Sequence, residues 1–160
     1  MATMYMKFED PGIGSSDAPG HHDEIEVLSW SHGFVQPTSP TRSSAGSGTV
    51  EQATHQNFSF TKYLDRSTNE LLKYSWSGRQ IGKATLSCFR AEGAAGNQVL
   101  YLTVAMQHVV ISNYSVSAGP GDIPLENVSI DYGIVQYNYI DQKRADSVST
   151  QHDLETRTVK

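Results

Sequence analysis

The side chains in this sequence that can do chemistry are one cysteine, six histidines and a few closely spaced carboxylates. Cys88, in the run Thr85-Leu-Ser-Cys-Phe-Arg90, becomes a nucleophile only beside a base, such as the distant His108. Nothing around it lowers the thiol's proton affinity, and a strand cysteine is ordinarily a small buried hydrophobe, so packing is the expectation. His21, His22 and Asp23 place three metal-ligating residues in a row. Adjacent histidines on an extended loop point opposite ways, and no second cluster completes a coordination shell, so no metal site is expected. His32, His55, His108 and His152 are scattered among strands and read as partly buried, hydrogen-bonded histidines. Glu24 and Glu26 share one face of an extended segment, as an acid/base pair would. They border a Gly/Pro loop in an already acidic stretch, which suits a solvated or interface face better.

Two glycine-rich runs, Gly46-Ser-Gly48-Thr49 and Gly119-Pro-Gly121-Asp122, have phosphate-loop composition. Both lack the lysine and the strand-to-helix setting that cradle a phosphate, and read as loops. Three Asn-x-Ser triplets begin at Asn57, Asn113 and Asn127. At least two lie in predicted strands and no signal peptide is readable ahead of them, so chance explains them better than glycosylation. No catalytic constellation remains, and neither enzyme activity nor a cofactor is expected.

The elements that must position these residues are mostly short strands. Alternation predicts strands over 4–8 and 24–34, the second with Ile25, Val27, Ser29 and Ser31 on one face and Leu28, Trp30 and His32 on the other. Residues 36–48 hold four serines, two threonines, two prolines and two glycines, and cannot pack a core by themselves. Strand character returns at Val50 and peaks over 57–63, where Phe58 and Phe60 alternate with Ser59 and Thr61. A helix over 67–77 follows, with Ser67 and Glu70 spaced as a capping box and Gly78 as a left-handed stop. Further strands are expected over 83–90, over 98–117 with a bend near Gln107 and His108, and over 125–140. The polar stretch 141–150 leads to a terminal strand over 151–159. Trp30 and Trp76 read as packing residues. Many strands with one helix suggest an antiparallel sandwich or barrel.

The chain's 160 residues suit one domain, 1–160, large enough to need no disulfide. Its longest apolar stretch, 99–106, is far short of the ~20 residues that span a bilayer, so no membrane insertion is expected. The net charge of -5 is localised: residues 1–30 carry Lys7 against six acids, while the remaining residues balance at eleven of each sign. No basic stripe is interleaved with aromatics, which disfavours nucleic acid.

Four runs together carry a family resemblance: Glu24-Ile-Glu-Val-Leu-Ser-Trp-Ser-His-Gly33 with the Ser/Gly-rich loop after it, the stretch from Phe58 through Leu72, Leu125-Glu-Asn-Val-Ser-Ile-Asp-Tyr132 with Tyr137, and Asp153-Leu-Glu-Thr-Arg157. In order and nearly in register, they resemble the haemolysin-coregulated protein (Hcp) family, the tube subunits of bacterial type VI secretion systems. His152 stands where the family often has an aromatic before its closing strand. The resemblance implies a β-barrel of two antiparallel sheets with one flanking helix, assembled as a homohexameric ring. It implies rings stacked into a tube, built in the bacterial cytoplasm and driven out of the cell by a contractile sheath and baseplate behind a VgrG-type spike protein. It further implies small effectors carried in the lumen, and export without a signal peptide. On this resemblance Ser31, with Ser29 beside it, faces the channel. Pro37, Thr38, Ser39, Pro40, Thr41, Arg42, Ser43 and Ser44 belong to a loop expected to reach a neighbouring subunit or the next ring. A soluble small-ligand-binding β-barrel with an apolar cavity is the alternative from the residues alone, and an enzyme using Cys88 or a His/Asp set is a third.

Overall fold

The computed structural model describes residues 3–10, 12–14, 16, 18, 20–36, 54–92, 97–141, 146–156 and 158–160. Twelve strands and one helix run in the order β1 (Met4–Glu9), β2 (Ile25–Glu26), β3 (Ser29–Ser31), β4 (Phe34–Val35), β5 (Thr54–His55), β6 (Phe58–Tyr63), α1 (Thr68–Ser77), β7 (Ile81–Glu92), β8 (Asn97–Ser117), β9 (Leu125–Asp131), β10 (Ile134–Asp141), β11 (Asp146–Asp153) and β12 (Thr158–Val159), counted among the described residues. Every pairing is antiparallel.

Apart from β4 and β5, which pair only with each other, the described strands form two sheets that share β8. Its first half lies between β7 and β10 in a sheet ordered β12-β11-β10-β8-β7-β1-β2. Its second half pairs with β9, which continues through β6 to β3. The expected bend falls at His108, whose φ of 56° takes the backbone through the left-handed region and redirects the strand. The sheets meet again at Val27 and Leu28, where the Val27 amide donates to Met4 and the next amide, Leu28, donates to Thr61. The expected continuous strand over 24–34 is therefore three short strands, because the chain turns a corner from one sheet to the other. That corner exchanges its faces: Ile25 and Val27 point into the core, whereas Ser29 and Ser31 are exposed.

Alternation explains the core. Met6, Leu86, Val104 and Tyr137 sit side by side across the first sheet, with Phe8, Ala84, Met106 and Val135 in the next row. They face Phe58, Phe60, Val128 and Ile130 of the second sheet, and Leu71 of α1 joins the same cluster. Fully burying each such side chain contributes roughly 1.5–3 kcal/mol. Ile13, from the loop after β1, is also buried.

Several sequence expectations change. Ser67 makes no side-chain cap to α1, because its own backbone is already helical. Asp65 takes the role, its Oδ1 accepting from the Ser67 amide at 2.8 Å and from the Ser67 hydroxyl, while Glu70 pairs with Lys73 instead. Gly78 does end the helix in the left-handed conformation, at φ 65°. Trp76 is 78% exposed rather than packed, since it follows Leu71 by five residues and so lies about 140° around the helix from the buried stripe. The expected region 125–140 is two strands separated at Tyr132 and Gly133. The expected terminal strand over 151–159 is the end of β11, a turn, and β12. No helix among the described residues is long and apolar enough to cross a membrane.

Candidate functional site: a neutral polar sheet face and a histidine-tyrosine chain

Of the residues singled out by sequence, Ser29 and Ser31 lie on a built surface. Both are on β3, facing away from the core. The register extends them into two rows across the second sheet: Ser31, Ser59, Ser129 and Asn113, then Ser29, Thr61, Asn127 and Ser115. All eight side chains are short, polar and uncharged. Ser29 Oγ lies 2.6 Å from Thr61 Oγ1, and Ser59 Oγ 2.8 Å from Ser129 Oγ, so hydroxyls satisfy one another across strands. Ser112, the extra residue where the β8–β9 register shifts, donates to the Ser129 carbonyl and accepts from Asn57 Nδ2 at 3.1 Å. A shallow depression of about 110 Å³ lies over β3, β6 and β9. Chemically, these two rows form a hydrogen-bonding surface without charged or apolar side chains.

Sequence reading identified two of these eight residues. The signal for most of the others was the three Asn-x-Ser triplets. On strands of period two, the first and third members share a face, so Asn113 with Ser115 and Asn127 with Ser129 both project outward.

Behind the polar face lies a buried ion pair that sequence reading missed. Lys62 and Glu126 have fully buried side chains and meet at 2.6 Å. Lys62 also reaches Asp65 at 3.1 Å and the Tyr63 carbonyl at 3.0 Å, and the Thr68 hydroxyl donates to the other Glu126 oxygen at 2.6 Å. Burial, followed by a hydrogen bond with Glu126 and its charge, pushes the Tyr114 phenol well above its ordinary range. This network ties the start of α1 to β6 and β9.

The remaining candidates do not assemble into catalytic chemistry. Cys88 is buried between Met4 and Leu102 in the strand register, and burial pushes its thiol up, away from the reactive thiolate. His108 is occupied by Glu155 at 2.6 Å. His21 stacks on Tyr5 with ring centres 4.0 Å apart and contacts Glu24 at 2.5 Å, which separates it from the exposed His22 and removes Glu24 from any pairing with Glu26. No group of three or more metal-ligating side chains is placed to hold a metal ion among the described residues. Residues 37–44, expected at a subunit contact, lie outside the described residues, as does the run from Gly46 to Thr49.

Three of the scattered histidines do come together. Tyr137 Oη meets His32 Nδ1 at 2.5 Å, His32 Nε2 meets Tyr132 Oη at 2.6 Å, Tyr132 Oη meets His55 Nδ1 at 2.6 Å, and His55 Nε2 meets His152 Nδ1 at 2.7 Å. Burial lowers His32 to about 4, assisted by His55 and opposed by a hydrogen bond with the Gln56 backbone. His55 is lowered by burial and then by His152. Burial raises Tyr137 to about 12 and, with Tyr137 and Asp131 adding to it, raises Tyr132 further.

A family profile described as "Type VI secretion system effector, Hcp" matches residues 5–139. Protein hcp1 of Pseudomonas aeruginosa is 36% identical over 141 residues, covering 88% of this chain and 84% of that protein. A solved structure of a type six secretion system protein superposes with a TM-score of 0.84 at 22% identity, covering both chains in full. Hcp1 from Salmonella typhimurium superposes at 0.80 with 24% identity, again over both full chains. These two show a shared fold.

Proposed function

Since the chain belongs to the Hcp family of type VI secretion proteins, we propose that it is a subunit of the secretion tube, acting as one domain over 1–160. Six copies close into a ring, rings stack head to tail, and the assembled tube is exported with small effectors in its lumen. Its partners are other copies of itself, a spike protein of the VgrG type, and sheath and baseplate proteins. The observation that carries this reading is the neutral polar face centred on Ser29 and Ser31. A conduit wall must stay wetted and hold cargo weakly enough to release it, and short hydroxyl and amide side chains already paired with one another meet both demands. Residues 37–44 are assigned to the contact with a neighbouring subunit or ring.

The alternative of a small-ligand-binding barrel needs space between the sheets. Met6, Phe8, Phe58, Phe60, Leu86, Met106 and Ile130 fill the centre instead, which favours the tube. Negative-stain microscopy with sedimentation velocity tests the reading: uniform six-membered rings are expected, and a monodisperse monomer at high concentration sinks it. Ser31→Glu is expected to leave rings intact while reducing retention of effectors co-expressed with the protein at least several-fold. Undiminished retention removes Ser31 from the lumen wall.

A further inference from the structure

We propose that the Tyr137–His32–Tyr132–His55–His152 chain is a proton-operated latch, which holds the β4–β5 ribbon against the sheets while His32 and His55 are neutral and releases it when they charge. The ribbon needs such a device because of its pairing. β4 and β5 pair with each other, Phe34 with His55 and Val35 with Thr54, in a two-stranded unit separate from both sheets. Beyond the backbone, which continues from β3 into β4 and from β5 into β6, side chains link it to the body: His32 just before β4, His55 on β5, and the Phe34 ring, which stands edge-on to His32, His55 and Tyr137 at centre distances of 4.4, 4.8 and 6.2 Å. The groups receiving these links belong to the body, namely Tyr132 at the end of β9, Tyr137 on β10 and His152 on β11.

Counting protons gives the latch its sense. Each of the four contacts holds one proton. With every imidazole neutral, three histidines and two phenols supply five, so one points outward at an end of the chain. Either inner histidine can take one added proton with all four contacts kept, because the hydrogens on each side of it turn to point outward along the chain. With His32 and His55 both charged, His32 Nε2 and His55 Nδ1 both donate to Tyr132 Oη, whose own hydrogen is displaced from the chain. Two cations then stand with ring centres 6.4 Å apart, and their repulsion and desolvation open the latch.

The surrounding charges leave this logic in place. Asp131 precedes Tyr132, Asp153 follows His152 and is engaged by the Glu155 and Thr156 amides at 2.9 and 3.1 Å, and Glu155 is paired with His108 beside Gly133. Beyond burial, which acts first on both, His55 and the Gln56 backbone act on His32, and His152 acts on His55. Because both histidines are lowered on folding, the folded chain binds fewer protons than the unfolded one below pH 6.5. The latch is at full strength above that value and is lost as pH falls toward about 4. Any effect of the ribbon on ring contacts through residues 37–53 rests on the proposed function; the latch itself does not.

Hydrogen exchange of the full chain at about pH 7 and about pH 4.5, corrected for intrinsic exchange, tests it. Protection in residues 33–36 and 54–56 is expected to fall about tenfold or more while β6 and β9 change less than about twofold. Carbon-detected titration of the histidine rings is expected to show His32 and His55 charging over the range in which the ribbon loosens. The His32→Gln/His55→Gln variant, whose amides can donate and accept without titrating, is expected to remove the pH response. The proposal is overturned by a ribbon equally protected at both pH values, by loosening only together with β6 and β9, by the two histidines titrating without ribbon loosening, or by a variant that keeps the response. Sedimentation of the same samples reports assembly separately, so a chain that forms no rings still tests the latch.

Discussion

At the scale of single residues, the most consequential side chain is one that breaks its own pattern. Phe58, Phe60 and Lys62 alternate on the inward face of β6, and a lysine in that series must find a buried anion or unfold the strand. Glu126 provides it from β9. Lys62→Met is expected to cost about 3–5 kcal/mol in urea unfolding, because it leaves Glu126 buried and unpaired. The double variant Lys62→Met/Glu126→Leu is expected to recover most of that loss, since removing both charges removes both desolvation costs. The anomaly of a lysine in an apolar register was visible in the sequence. Its partner, 64 positions away, was not, because nothing local marks Glu126 as inward-facing until β6 and β9 are set in register.

At the scale of elements, α1 shows how a correctly placed helix can have a misread end. Spacing located the helix and its Gly78 stop, since both depend on local backbone preferences. The capping box failed because Ser67 had already entered the helical conformation, which left Asp65 to receive the Ser67 amide. Asp65→Ala is therefore expected to cost at least about 1 kcal/mol, more than Ser67→Ala, when thermal unfolding of the two variants is compared. The opposite order would restore the capping box. The strand β8 makes a complementary point: its bend was legible near Gln107 and His108. That the bend transfers one strand between two sheets required the different partners of its two halves, β7 and β10 before it and β9 after it.

At the scale of the whole molecule, the charge distribution and the polar face bear on the proposed assembly. Six copies at -5 place about -30 on each ring, with the excess in the first thirty residues, so close packing of rings works against like charge that physiological salt screens within about 8 Å. The loop assigned to subunit contact must then contribute attraction or geometry. Deleting residues 38–47 is expected to abolish tubes seen by negative stain while the circular dichroism of the sheets is retained. Intact tubes from that variant would take the loop out of the assembly contact.

The sequence by itself determined what is local or compositional: an all but wholly β chain with one helix, its inward apolar series, its acidic first thirty residues, and a set of motifs specific enough to indicate the Hcp family. Tertiary structure decided which distant residues share a surface. The row Ser31, Ser59, Ser129 and Asn113 draws on four strands, and the chain from His32 through His55 to His152 joins three segments, although every member was visible as an isolated polar residue. The physical reason is the nature of sheet pairing. Alternation states which face a residue takes within its strand, but a shift of one residue in register reverses that face relative to its neighbours, and register is set only when the cores of both sheets close on one another.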